Sequence, residues 1–487
     1  MIKIYKKDES TLFINCEHDE ALNIQSYFSF YAPNYVFHPK YKMHVWDGKI
    51  RLFNINKCEL PIGLYKKLIT NLDRDGISYG VMDTIFTPGK KISTESVLKF
   101  ASSILKTDKV PRDYQIKAVQ HMLYGKKKII LSATASGKSF IAFLFFNLLK
   151  YMYPDYKFLL VVPTIQLVEQ MYEDFKDYGK NFADYDKYVH RIYAGKDKNT
   201  DKPITISTWQ SLQRLEEKYF EQFDCVLIDE CHGATGKELT KIVTNSINAE
   251  YKIGMSGTLN NAKADELQLE ALFSNIIRVN KTIDLINAGH LSNINIHALI
   301  LKYPEKYGKF VKGLEFDEEC KFINDQKVKR NFVCSLANSR ENNTLILFKH
   351  REYGTSLYRY LESKSKKKIF YVDGTVSVEY RENVRKYCEE NNDVIIVASY
   401  GTFSTGINIK NLHNIIFGES IKSMIKVIQS IGRGLRKHVN KNKMYLFDIC
   451  DDMSYKKHNN TLLNHFLSRI EYYDAEEFTY KVKEYNV

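Results

Sequence analysis

Ser132-Ala-Thr-Ala-Ser-Gly-Lys-Ser139 decides how the rest of this 487-residue chain is read. It follows the apolar run Lys126-Lys-Lys-Ile-Ile-Leu131, short enough for a buried strand, and precedes Phe140-Ile-Ala-Phe-Leu-Phe-Phe-Asn-Leu-Leu149, long enough for a helix. A strand, a tight loop and a helix start make a phosphate cradle. Backbone N–H groups of Ser132, Ala133, Thr134, Ala135, Ser136 and Gly137 face anionic oxygens, Lys138 reaches the outer phosphates, and the Ser139 hydroxyl is a magnesium ligand. Against G-x-x-x-x-G-K-[ST], Ser132 replaces the first glycine and Ala135 fills a position where another glycine is common. The strand-to-helix setting favours the cradle over a G-K-S that merely caps a surface helix.

Outward from that loop, length allows two to four domains, and 44% hydrophobic residues with only 9 prolines argues for ordered, globular domains instead of a disordered array. The longest apolar runs, such as Ile141 to Leu149, are too short to span a bilayer, and the N-terminus lacks a long apolar segment. A cytoplasmic protein without a membrane partner is expected. Eight cysteines form no C-x-x-C pair, which argues against a zinc site or a disulfide framework. The net charge of +13 is concentrated towards the end: residues 286–487 hold 32 Lys and Arg against 24 Asp and Glu. That excess suits a polyanionic partner or a solvated basic surface, and charge alone does not choose.

Residues 1–105 read as a small α+β accessory domain with strand-like segments at Thr11–Asn15 and Lys49–Phe53 and a hairpin-turn signal at Asp47-Gly48. Lys40, Lys42, Lys49 and Arg51 alternate there with Tyr41 and Trp46, a mixture that fits a nucleic-acid backbone with stacking rings, or equally an ordinary charged hairpin. Residues 106–285 alternate apolar strands (128–131, 158–162, 204–207, 225–228, 251–255) with amphipathic helices, the signature of a parallel sheet covered on both faces. Residues 286–454 repeat the alternation, with strands at 294–301, 344–348, 368–372, 394–398, 414–417 and 443–447; residues 455–487 read as a helical extension. The expected fold class is α/β: two tandem parallel-sheet domains with an N-terminal α+β domain and a short helical C-terminal extension.

Ligands of open α/β sheets sit beyond the strand ends, and the polar clusters fall there. After Cys225-Val-Leu-Ile228 comes Asp229-Glu-Cys-His232, in which Asp229 is assigned to magnesium and Glu230 to the attacking water. Ser256-Gly-Thr258 follows another strand, either to relay nucleotide state or to cap a helix. In the second half, Ala398-Ser-Tyr-Gly-Thr-Phe-Ser-Thr-Gly-Ile407 is a turn rich in glycine and hydroxyls. Gln429, Arg433 and Arg436 are spaced for one helical face, with both arginines offered to a γ-phosphate.

Taken in order, these motifs resemble superfamily 2 helicases of the DExH type over about residues 110–440. The resemblance implies that the two tandem parallel-sheet domains are RecA-like, with ATP and Mg2+ as cofactors. It adds Arg112 and Gln115 as adenine readers, with Gly406 and Gln429 completing the nucleotide site. It also implies nucleic-acid contacts from Pro163 and Thr164, from Thr208 and Trp209, from Lys349 and His350, and from Thr402; an acidic residue common after Gly-Ile is Asn408 here. In the first domain Phe37-His-Pro39, Trp46-Asp-Gly48 and Ile50-Arg-Leu52 are similar to the UvsW-like DNA helicases of large tailed phages, which adds Lys40, Lys42, Trp46 and Arg51 as candidate DNA contacts. That likeness implies an ATP-driven motor on branched or duplex DNA, including RNA–DNA hybrids. Fork regression, Holliday-junction migration and R-loop removal are its expected reactions, carried out by a monomer or weak self-associate in a host cytoplasm. The rival readings are an RNA helicase, a restriction-type translocase, and a nucleic-acid-binding module without productive ATPase.

Overall fold

The computed structural model describes residues 1–487 except 34, 181, 194–196, 260–262, 407–408 and 422. The chain divides into two compact units, residues 1–132 with 137–280, and residues 133–136 with 281–487.

The first unit begins with a four-stranded sheet of β1 (Ile2–Lys6), β2 (Thr11–Asn15), β5 (Glu59–Pro61) and β6 (Tyr79–Val81), in the order β5-β2-β1-β6. Alternation in β2 turns Leu12 and Ile14 into a core shared with Ile2, Ile4, Ile24 and Leu68, and leaves Phe13 outside. Two short strands, β3 (Ser29–Tyr31) and β4 (Lys49–Arg51), pair antiparallel apart from that sheet. Asp47-Gly48 is therefore no tight hairpin turn. A 3-10 turn at Tyr35–Phe37 and a short helix at Pro39–Lys42 intervene between the paired strands.

Next comes a seven-stranded, wholly parallel sheet ordered β13-β7-β12-β11-β8-β10-β9. Its members are β7 (Lys127–Leu131), β8 (Phe158–Val162), β9 (Val189–Ile192), β10 (Ile204–Thr208), β11 (Cys225–Asp229), β12 (Tyr251–Ser256) and β13 (Asn275–Arg278). The central strands are buried on both faces, so they read as continuous apolar runs. The helix Lys138–Met152 buries Phe143, Phe145 and Phe146 completely, which explains an apolar run without an obvious polar face. The N-terminal sheet is fastened to this one by Lys127 and Glu9 (2.5 Å), and to the helix Lys237–Asn245 and the loop after it by Ser10 Oγ donating to Thr244 O (2.7 Å) and Glu9 N donating to Ile247 O (3.0 Å).

The second unit carries another seven-stranded parallel sheet, ordered β16-β17-β15-β18-β19-β14-β20. The strands are β14 (Asn293–Lys302), β15 (Thr344–Phe348), β16 (Lys368–Val372), β17 (Val394–Ser399), β18 (Asn414–Phe417), β19 (Lys443–Asp452) and β20 (Tyr480–Asn486). The end of the chain supplies the expected helix, Thr461–Ala475, and in addition β20, which extends the sheet beside β14. No described helix is long and apolar enough to cross a membrane.

Candidate nucleotide site and nucleic-acid surfaces

Gly137 sits in the left-handed region (φ +83°) and starts the helix Lys138–Met152. A Cβ there would lie 2.8 Å from Gln115 Nε2, so the loop and the expected adenine-reading glutamine are neighbours. Gln115 is buried, and its Oε1 accepts from Arg112 N (2.9 Å), which caps the helix Asp113–Gly125; the Arg112 guanidinium donates to Tyr114 Oη (3.0 Å). Ala135 is also left-handed (φ +65°), so the position where glycine is common has the backbone that favours glycine. Ser132 N donates to Ser256 O (3.0 Å) and Asn280 Nδ2 to Ser132 Oγ (3.4 Å), anchoring the loop to the end of β12. Ser139 Oγ lies 2.8 Å from the Tyr178 hydroxyl, whose ring packs edge-on against Phe140.

Asp229 ends β11, and Glu230 turns the chain through left-handed backbone (φ +53°, ψ 49°), a strained choice for a non-glycine residue. That turn brings Glu230 Oε1 to 3.1 Å from Lys138 Nζ. Burial works against the Glu230 charge, but Lys138 and His232 outweigh it and hold the carboxyl well below its usual range. Burial likewise opposes the Lys138 charge, yet Glu230 and Asp229 keep its pKa raised. Asp229, buried and beside a second carboxylate, is pushed up to about 6. Its buried Oδ1 meets no hydrogen-bond donor among the described residues. An orphaned strand-end carboxylate oxygen beside a phosphate loop is the donor set a magnesium ion takes when it binds one or two protein ligands plus phosphates and water. The residues therefore fit that ion.

His232 is the site residue that sequence reasoning left without a role. Its Nδ1 lies 3.0 Å from Ser256 Oγ and 3.3 Å from Glu230 Oε2, and Ser256 Oγ donates to Thr258 O (2.6 Å). Ser256 thus links the end of β12 to the Glu230 carboxylate, in addition to holding the following turn. The only advance signal was its place two residues after Glu230. Cys231 is fully buried and its thiol pKa is raised, first by burial and then by Glu230, so it is no nucleophile.

The surface candidates divide. Pro163 and Thr164 open the helix Ile165–Tyr178, where Thr164 Oγ1 accepts from Leu167 N (3.3 Å), and Pro163 O accepts from Gln210 Nε2 (3.4 Å). Thr208 is buried as the cap of the helix Trp209–Leu212, and Trp209 packs partly buried against the core beneath it. In the N-terminal excursion Lys40 and Lys42 are exposed. Trp46 is half-buried with Nε1 donating to Lys49 O (2.8 Å), and Arg51 pairs with Asp47.

In the second unit, Lys349 N and His350 N both donate to Glu419 Oε2 (2.8 and 2.9 Å), the His350 ring contacts the same buried carboxylate, and Lys349 Nζ stands 4.7 Å over Phe316. Thr402 is buried, its Oγ1 2.8 Å from Ser399 Oγ. Gly406 ends the helix Tyr400–Gly406, and Asn408 lies outside the described residues. The helix Met424–Gly434 carries Gln429 and Arg433, but it stops at Gly434, so Arg436 falls beyond it instead of continuing one helical face. Lys441 Nζ donates to Gly434 O (2.8 Å) and Lys410 O (2.7 Å), which holds that end in place.

A phosphate loop, a strand-end Asp-Glu pair and two parallel sheets in tandem define a superfamily 2 helicase. Family models agree: DNA helicase UvsW, N-terminal, matches residues 1–79; Type III restriction enzyme, res subunit, residues 108–261; and Helicase conserved C-terminal domain, residues 328–438. The chain is 32% identical over 509 aligned residues to the ATP-dependent DNA helicase uvsW of Enterobacteria phage T4, covering 100% of both. It also matches the crystal structure of T4 UvsW with a TM-score of 0.52, covering 100% of this chain and 99% of that one. A putative HsdR subunit fragment of a type I restriction enzyme from Vibrio vulnificus YJ016, 20% identical with a TM-score of 0.56 over 81% of this chain and 72% of that one, shares the fold. The chain belongs to the UvsW family of ATP-dependent DNA helicases.

Proposed function

We propose that this chain uses ATP hydrolysis to remodel branched DNA: regressing forks, migrating Holliday junctions and unwinding R-loops in recombination, repair and replication. The observation that carries the ATP part is the Lys138–Glu230 pair at 3.1 Å beside an Asp229 oxygen that meets no donor among the described residues. The pair balances two buried charges until a nucleotide supplies a better anion for Lys138. In this reading the loop from Ser132 to Gly137 wraps the phosphates, and Lys138 moves to their outer oxygens. Ser139 and Asp229 would hold magnesium, which when bound offsets phosphate charge. Glu230, released from Lys138 but still held by His232 and Ser256, orients the attacking water. Arg433 and Arg436 are assigned to the γ-phosphate, Arg112 and Gln115 to adenine, and Gln429 and Gly406 to the rest of the nucleotide.

Pro163, Thr164, Thr208, Trp209, Lys349, His350 and Thr402 are proposed to face the nucleic-acid backbone, through their loops where the side chains are buried. Lys40, Lys42, Trp46 and Arg51 add a contact from the N-terminal domain. The branched-DNA part is supported by full-length kinship to the phage T4 protein and by the fastening of the N-terminal sheet to the first parallel sheet through Glu9, Ser10 and Lys127. That fastening makes the domain a fixed attachment on the motor.

ATPase and strand rearrangement measured side by side on a fork, a Holliday junction, an R-loop and linear duplex test the reading. Greater activity on the branched substrates is expected. Equal activity on all four would sink the branched-DNA assignment, and stronger stimulation by RNA would point to an RNA helicase.

A further inference from the structure

The segment between β3 and β4 has an unusual surface for a folded domain. None of the described residues from 29 to 47 is buried, yet it carries Phe37 at 71% exposure, Met43 at 64% and Val45 at 74%. Exposed apolar residues clustered in one short segment mark an interaction site more often than chance. Its charge is one-sided: Lys40, Lys42, Lys49 and Arg51 stand against a single acid, Asp47, which pairs with Arg51.

The segment is also stiff without a core. Tyr31 stacks on Tyr35 (4.5 Å), Tyr35 meets Tyr41 edge-on (4.8 Å), and Lys49 Nζ lies 5.3 Å over the Tyr31 ring. His38 caps the short helix through Nδ1 accepting from Lys40 N (3.2 Å), and its ring packs on Trp46 (5.1 Å). Val45 N donates to Lys40 O (2.9 Å), and Gly48 (φ +81°) lies so close to Tyr35 that a Cβ would meet its ring at 2.3 Å. The rings and polar groups hold one another. Phe37, Met43 and Val45 are left pointing at solvent.

We propose that Phe37, Met43 and Val45 form a wedge that inserts at the branch point of DNA and unstacks the base pair there, while Lys40 and Lys42 hold the adjoining phosphates. Apolar side chains of these types part base steps when a cationic frame positions them, and rings stack on any base without regard to sequence. The occupant is nucleic acid because the frame around the apolar tip is cationic. A protein docking face of this kind would need matching acids on its partner and has nothing here to select one.

This wedge rests on the branched-DNA reading above, and the two fail separately. The test uses purified full-length protein, with no other protein present, on a fork carrying 2-aminopurine at the branch point and on linear single-stranded DNA. The variants are Phe37→Ala/Val45→Ala and Met43→Ala; because all three side chains are exposed, circular dichroism and the thermal midpoint should match the native protein. The ratio of fork rearrangement to linear-DNA-stimulated ATPase should fall about tenfold in the double variant, and the fluorescence rise that reports an unstacked branch base should disappear. Native values for both the ratio and the fluorescence would overturn the wedge and leave the face to a protein partner. A native protein that shows no preference for forks would instead defeat the branched-DNA reading. The 2-aminopurine signal on bound fork would still decide whether the segment unstacks the junction.

Discussion

Two buried aspartates, one in each parallel sheet, put the same side chain to opposite uses. Asp448 in β19 commits both oxygens to the fold: Arg469 Nη2 donates to Oδ1 (2.8 Å), Arg469 Nε to Oδ2 (2.9 Å) and Tyr473 Oη to Oδ2 (2.8 Å). Arg469 is itself buried and also donates to Ser420 Oγ (2.9 Å), so the helix Thr461–Ala475 is bolted to the sheet. Asp229 at the end of β11 keeps an Oδ1 that meets no donor among the described residues, next to the Lys138–Glu230 ion pair. A satisfied buried charge fixes structure. A charge left partly unsatisfied, in a place where burial is costly, needs another account, and the proposed function supplies one by assigning Asp229 to magnesium.

Breaking the satisfied network should have the largest effect. Arg469→Leu leaves Asp448 buried with Tyr473 alone, and loss of one partner of a buried pair costs about 3–5 kcal/mol. Urea unfolding should show a marked fall in the midpoint. A loss below about 1 kcal/mol would mean that Asp448 is no fastener. Asp229→Asn is expected to give the opposite pattern. DNA-stimulated ATPase should drop by about 10²-fold or more, the scale of removing one preorganised electrostatic group, while stability stays level or rises because a strained buried charge is removed. A destabilised but active Asp229→Asn protein would erase the distinction between the two aspartates.

That distinction was only half legible in the sequence. The central strands announced themselves as apolar runs, and the loop and the Asp-Glu pair followed from their positions at strand ends. Of the four edge strands of the parallel sheets only β16 did so; β9, β13 and β20 did not. β9 sets half-buried His190 and Arg191 between buried Val189 and Ile192, and β20 is almost wholly exposed, with Lys481, Lys483 and Glu484 along an edge where charge discourages unwanted pairing. Such strands exist because a neighbour offers them hydrogen bonds, which no local pattern records. In the site, residue types were readable, but backbone hand and three-dimensional partners were not. Nothing in Asp229-Glu-Cys-His232 signals that Glu230 is left-handed or that His232 reaches Ser256, 24 positions along the chain. The 3.6-residue spacing that joined Arg436 to Gln429 and Arg433 assumed a helix that Gly434 ends.

A third buried charge belongs to the satisfied class only in part. Lys252 in β12 donates to Ser10 Oγ where the N-terminal sheet meets the first parallel sheet, and burial, then the neighbouring Lys127, pull its pKa down to about 7. A lysine whose folded pKa lies below its unfolded value of about 10.4 binds more protons when unfolded across that window. Stability should therefore rise with pH between about 7 and 10, with a limiting slope near 1.4 kcal/mol per unit from this group. Lys252→Met should remove that slope and stabilise the protein at pH 7. An unchanged slope would show that Lys252 stays charged and is compensated, as Arg469 is.

The smallest expected effect lies in the loop itself. Ala135 holds φ +65°, a conformation that costs a side-chain-bearing residue about 1–2 kcal/mol relative to its preferred region. Glycine accepts that backbone freely but gains entropy in the unfolded chain, so Ala135→Gly should raise stability by at most about 1 kcal/mol. The informative readout is the balance between stability and turnover. If the left-handed turn is imposed to present loop N–H groups to phosphate, glycine keeps the geometry, ATPase stays near the native rate and the thermal midpoint rises slightly. If alanine's stiffness is what keeps the loop in place without nucleotide, the same substitution raises KM for ATP while kcat holds. Loss of both stability and kcat would show instead that the alanine methyl makes a contact the turn depends on, and Ala135 would then belong with Asp448 among the fasteners.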